Sequence, residues 1–228
     1  GGINMLAVFE KEFKSYFRSA VGPVFIGLFL LVSAGIFVFG YLINGIVAYT
    51  TYLNYLNLVF MITIPILTMK AFSEERRTKT DQLLLTSPVK ASDIVLGKYF
   101  AAVSVLFITL LLHSLDAIVI SFFAVNMYFA DVIIAYIGLF LVGCAYIAIG
   151  VFVSSTTDNQ VISAIITFVV LLVIYVIQWL STSAVSSVTT GIVTCAVIAL
   201  GIVILIYSAT RSKTASACAA IICALVIA

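Results

Sequence analysis

Charge is what this chain has least of. Asp, Glu, Lys and Arg make up 9% of its residues, where a soluble domain carries about 25%. None of the four occurs between Ser19 and Met69, or between Asn159 and Thr210. Such a composition cannot cover a soluble globular domain, and that class is excluded. Histidine occurs once, at His113, and no HExxH motif exists, which excludes a metalloprotease of that type. The four cysteines, Cys144, Cys195, Cys218 and Cys223, lie in apolar runs without a CxxC. They read as small buried hydrophobes, not as metal ligands. The Gly97-Lys98 pair is followed by Tyr99 and has no upstream glycine at P-loop spacing, so ATP hydrolysis is not expected in this chain. No serine sits in a nucleophile-elbow context.

What remains is membrane. A spanning helix needs about 20 apolar residues. The apolar runs parse as spans near Val24–Ile43, Leu53–Met69, Tyr99–Val125, Val132–Val153, Val161–Leu180 and Gly191–Tyr207. A seventh run, Ala215–Ala228, would reach only about 21 Å as helix, short of a hydrocarbon core. It reads as the start of a helix that continues in the natural protein. The expectation is an all-α integral membrane protein with six transmembrane helices plus a partial seventh, in one domain over residues 1–228. With the N-terminus inside, all eleven Lys and Arg fall on one side: before the first span, between the second and third, and after the sixth. The positive-inside rule makes that side cytoplasmic.

Met5 reads as the natural start. Residues 5–20 then form an amphipathic helix that lies in the interface plane. Phe9, Phe13, Tyr16 and Phe17 recur at spacings of three and four, with Lys14, Arg18 and the glutamates on the rest. The glutamates and the long first span argue against a cleaved signal peptide. Gly22-Pro23 begins the first span, where proline is tolerated. Tyr41, Tyr49, Tyr52 and Tyr55, with Tyr128 and Trp179, mark the outer ends of spans as an aromatic belt. Pro65 lies inside the second span and is expected to kink it. His113 and Asp116 stand at i, i+3 on one face of the third span, and an ionisable residue there is a functional candidate. Asp116 lies about 27 Å beyond Lys98, near the outer interface. A local structural pair, a polar lining of a path and a proton relay all remain open, the depth of Asp116 weighing against the relay. Gly138, Gly143, Gly150 and Ser154 in the fourth span let helices approach closely. The loop Ser154–Gln160 caps the fifth span from inside.

The one long polar interruption is Phe72–Lys98, FSEERRTKTDQLLLTSPVKASDIVLGK. It reads as a short surface helix over 73–87 with Ser73 as N-cap, a proline turn at Pro88, and a second helix capped by Ser92-Asp93. Glu74 and Glu75 fall in the first turn, where the helix dipole favours them. Arg77 and Asp81 can pair along the surface. The consecutive Leu83, Leu84 and Leu85 make the end apolar nearly all round, which suits burial against something else.

This run resembles the loop between the second and third spans of type-2 ABC transporter permeases, with the gliding-motility-associated branch the nearest likeness. The resemblance covers roughly Met5 to Leu180. It implies a permease subunit, an exporter, in a bacterial cytoplasmic (inner) membrane. The loop would be a coupling helix resting on a separate ATPase dimer through Glu74, Glu75, Arg76, Arg77, Lys79 and Asp81, then Leu83, Leu84, Leu85 and Pro88. The N-terminal helix would be the connecting helix, facing the same ATPase. The chain itself would carry no cofactor, with ATP and Mg on the partner. A second permease, identical or related, would complete the path. An extracytoplasmic auxiliary subunit fits the short run at the chain end, and no nucleic-acid partner is implied. The chain departs from the family pattern at Ser181–Thr190, too short for a re-entrant outer hairpin. Two rival readings stay open: a non-transporting membrane anchor or signalling subunit, and an ion-coupled carrier using His113 and Asp116.

Overall fold

The computed structural model describes residues 5–43, 49–79, 91–121 and 129–184. All described secondary structure is helical. An apolar chain in lipid must satisfy every backbone group within its own segment, and the helix does so. In chain order the helices are α1 (Met5–Arg18), α2 (Val21–Ile36), α3 (Tyr49–Thr68), α4 (Ser73–Arg77), α5 (Ala91–Ser121), α6 (Phe129–Thr156) and α7 (Gln160–Ala184). The end of α2 continues as a π-helical stretch, Phe37–Ile43. Five stretches are long and apolar enough to cross a membrane: Val21–Gly40, Thr51–Arg77, Ala91–Ala117, Ala130–Thr156 and Gln160–Gln178. They match the first five expected spans. The sixth span and the partial seventh lie outside the described residues, as do Tyr128, Cys195, Cys218 and Cys223. Residues 181–184, expected in an outer loop, are the last turn of α7 instead.

Residues 1–171 form one compact unit and 172–228 a second. The described part of the second is the final stretch of α7. The first unit holds the core, in which Phe25 and Phe29 of α2, Phe60 and Ile64 of α3, Leu106 of α5 and Ile147 of α6 are fully buried. Phe29 meets Phe60 with ring centres 5.4 Å apart. A side chain at Gly150 of α6 would overlap Thr68 of α3, and one at Gly143 would press on Leu106 and Phe60. Gly138 faces open space, so the close-packing reading holds for Gly143 and Gly150 and fails for Gly138. α3 runs through Pro65, and the Pro65 carbonyl still accepts from the Met69 N–H at 3.0 Å.

α1 divides its surface three ways. Val8 and Tyr16 are buried and Glu12 is nearly so, making a stripe against α5. The approach is close: a Cβ at Gly97 of α5 would lie 2.9 Å from Val8. Phe9, Phe13 and Phe17 stack alongside as a second, partly exposed apolar stripe, and Lys11, Lys14 and Arg18 face water. The sequence grouped Tyr16 with the three phenylalanines. The fold separates them, because Tyr16 turns inward at the corner where Gly22 packs on its backbone. A helix with one face on protein, one apolar and one charged suits a membrane surface.

Candidate functional site

Two buried polar clusters stand out, both built on α5. The first is at the end of the unit where α1, the α3–α4 corner and the start of α5 meet. The chain turns after Thr68, with the Ala71 N–H bonded to the Thr68 carbonyl at 3.0 Å, and α4 begins at Ser73. Its cap comes from another helix. The Ser154 hydroxyl of α6 accepts from the N–H groups of Phe72, at 3.0 Å, and Ser73, at 3.2 Å, and lies 3.3 Å from the Met69 carbonyl. The expected N-cap, Ser73, is instead the first helical residue, and its hydroxyl donates back to the Met69 carbonyl. The correction is physical: a buried corner leaves N–H groups that a serine four residues after Gly150 is placed to receive.

Lys98 locks this corner to α1. Its ammonium is buried and lies 2.9 Å from Glu75 Oε1 of α4, 3.2 Å from Glu12 Oε1 of α1 and 2.7 Å from the Ala71 carbonyl. An ammonium has three donors, and these three acceptors match them. The Phe72 ring centre is 5.0 Å away. Lys11 lies 3.7 Å from Glu12 and 4.0 Å from Glu75, so two cations face two carboxylates and the cluster is neutral. Around it are looser surface pairs, Lys70 with Glu74 and Arg76 with Asp158, each at 3.8 Å. Beside it, burial and the charge of Glu12 push the Tyr16 phenol well above its ordinary pKa. On the exposed side of α1, the Lys14 hydrogen bond and charge hold the Glu10 carboxyl below the usual range.

Of the residues expected to face a partner, Glu74, Arg76, Arg77 and Lys79 are exposed on α4 and the turn after it. Glu75 points inward to Lys98. α4 ends at Arg77, where the Thr78 hydroxyl folds back on the Glu74 carbonyl at 2.9 Å and Lys79 takes a left-handed φ of 55°. Asp81, Leu83, Leu84, Leu85 and Pro88 lie outside the described residues, as does the Arg77–Asp81 pairing. Glu12 and Lys98 were not singled out from sequence as site residues. The sequence placed Lys98 in the loop just before a third span beginning at Tyr99, whereas α5 begins at Ala91, so this lysine sits about 10 Å inside a spanning helix. A cation at that depth demands partners.

The second cluster surrounds His113, which is fully buried. Its Nε2 lies 2.8 Å from the Tyr52 hydroxyl of α3, and its Nδ1 lies 2.8 Å from the Tyr136 hydroxyl of α6. The Tyr52 hydroxyl also reaches the Ser33 carbonyl of α2 at 3.2 Å. With the proton on Nε2 all these contacts are satisfied at once: Tyr136 donates to Nδ1, Nε2–H donates to Tyr52, and Tyr52 donates to Ser33. Tyr52 stacks on the imidazole and Phe29 meets its edge. Asp116 stands 3.7 Å from Nε2 and is 37% exposed, so the i, i+3 pair exists but is outranked by the phenols. The placing of Tyr52 in an outer aromatic belt is overturned, since it is 1% exposed and hydrogen-bonded in the core. Tyr55, 47% exposed, suits the belt. At the far end of α6, Asn159 caps α7, its side chain accepting from the Val161 N–H at 2.9 Å.

The sequence profile of a family described as ABC-2 family transporter protein matches residues 21–215. No curated protein and no solved structure matches the chain.

Proposed function

The chain belongs to the ABC-2 transporter family, and from that premise we propose that it is the permease subunit of an ATP-driven exporter in a bacterial cytoplasmic membrane. It is of the gliding-motility-associated kind that its loop resembles. The N-terminus, α1 and α4 face the cytoplasm. The partner there is an ATPase dimer that holds ATP and Mg, while this chain catalyses no reaction of its own. A second permease subunit supplies the other half of the path, and an extracytoplasmic auxiliary subunit completes the assembly. Residues 73–87 act as the coupling segment.

The observation that supports this reading is the Lys98 junction. A coupling segment must pass force to the spans and not merely hang between them. Here Glu75 of α4 and Glu12 of α1 hold the same buried ammonium of α5, and Ser154 of α6 caps α4. Displacement of α4 therefore loads α1, α3, α5 and α6 together. Tightly packed, fully bonded joints transmit displacement in place of absorbing it.

The test is Leu84→Glu. An unpaired charge in a desolvated contact costs several kcal/mol of docking. The expected outcome is a folded, inserted permease that no longer retains the ATPase or stimulates it, with Thr50→Glu as the neutral control. Normal coupling by Leu84→Glu would end the proposal. Orientation has its own check: Thr78→Cys and Ser187→Cys, in a cysteine-free background, should label from opposite faces of oriented vesicles.

A further inference from the structure

Beside the charged corner, a groove of about 590 Å³ opens between α4, the start of α5 and the end of α6. Its walls are apolar: Ile94, Val95 and Tyr99 from α5, Val151 and Phe152 from α6, and Phe72. Arg76, Glu75 and Ser155 supply its polar lining. The volume is that of a small-molecule site. The walls, however, lie on two helices long and apolar enough to cross a membrane, a setting that favours a lipid occupant over a water-soluble one. From Ser155 to Ala148 the groove descends about 10 Å at 1.5 Å per residue, within the depth of one leaflet's hydrocarbon, about 15 Å. Phe152 is 69% exposed and Val95 44%, so the slot opens sideways into lipid.

The polar lining sets the headgroup. Glu75 is engaged by Lys98 and Lys11 and offers little to a cation. Arg76 is 44% exposed and holds Asp158, itself 75% exposed, only at 3.8 Å. Such a surface pair is worth at most about 1 kcal/mol. A guanidinium has five donors in a fork that fits phosphate, so a phosphate can join or displace Asp158. We propose that this groove binds one anionic phospholipid of the leaflet on the basic face, an acyl chain between α5 and α6 and its phosphate on Arg76. The inference needs only that α5 and α6 span the membrane, and it stands apart from the permease reading.

The experiment places the reporter Phe152→Trp in a Trp179→Phe background, in vesicles of dioleoyl phosphatidylcholine. Brominated dioleoyl phosphatidylglycerol is compared with brominated dioleoyl phosphatidylcholine as quencher. The expected result is a preference for the anionic lipid of roughly fivefold, the effect of one basic residue at a membrane surface. Arg76→Gln should bring the ratio to one, and Ala148→Phe, which fills the slot from an exposed position, should do the same. The reporter Ile165→Trp, on lipid-exposed α7, should show a ratio of one throughout. Equal quenching by both lipids with Arg76 intact would overturn the proposal. So would a preference that survives both variants, or shielding of the reporter from both lipids by a second copy of the chain.

Discussion

Lys98 and His113 sit on the same helix, about 22 Å apart along its axis, and both are buried in polar clusters that tie helices together. The clusters are chemically opposite. Around Lys98 the partners are ionised, two cations against two carboxylates, and Glu12 and Glu75 keep 15% and 17% of their side chains exposed. Around His113 the partners are phenols and a carbonyl, with the one carboxylate, Asp116, at the margin. The difference is not one of depth, since Lys98 lies seven residues from one end of the Ala91–Ala117 span and His113 four residues from the other. It follows from what the neighbouring helices bring. At Lys98 two carboxylates meet the ammonium, so charge is kept because it is paired, and at His113 the closest groups are phenols, so the bonding is neutral and closed. One helix thus carries an ionic joint toward one end and a neutral joint toward the other.

The comparison is broken most directly at the ionic end. Lys98→Met leaves Glu12 and Glu75 facing one another with Lys11 alone, and is expected to cost about 3–5 kcal/mol. Thermal unfolding followed by fluorescence-detected size exclusion should show this as loss of the folded peak. Adding Glu75→Gln to Lys98→Met should restore part of it. A fully stable Lys98→Met would mean the joint carries no energy.

A steric break comes next. Gly150→Leu forces a side chain into Thr68 and should cost about 1–3 kcal/mol, while Gly138→Leu, pointing at open space, should unfold like the parent. Equal damage from both would show that α3 and α6 do not meet as described.

The neutral joint should be weaker. His113→Phe leaves the hydroxyls of Tyr52 and Tyr136 without their ring-nitrogen partners, for a loss of about 1–3 kcal/mol. Asp116→Asn should stay within about 0.5 kcal/mol and keep ATP-coupled transport, since the closer contacts of His113 are untouched. Should Asp116→Asn abolish transport in a stable protein while His113→Phe does not, the carboxylate lines a path and the ranking of the two reverses.

Much of this was legible in the chain itself. Spacing and hydropathy located five spans, all but the third to within a few residues and the third with its start eight residues too late, because lipid leaves a long apolar segment no other way to satisfy its backbone. The amphipathic α1 and the i, i+3 pair of His113 and Asp116 were equally local patterns. Residue spacing within one helix could not reveal Tyr52 and Tyr136 meeting on one imidazole, Ser154 capping a helix more than eighty residues before it, or Glu12 and Glu75 sharing Lys98. Those arrangements depend on how the helices cross. Sequence determines which surfaces must be buried. Tertiary packing decides which polar atoms share each buried place, since a buried donor can be satisfied by whichever element the packing brings within 3 Å or so.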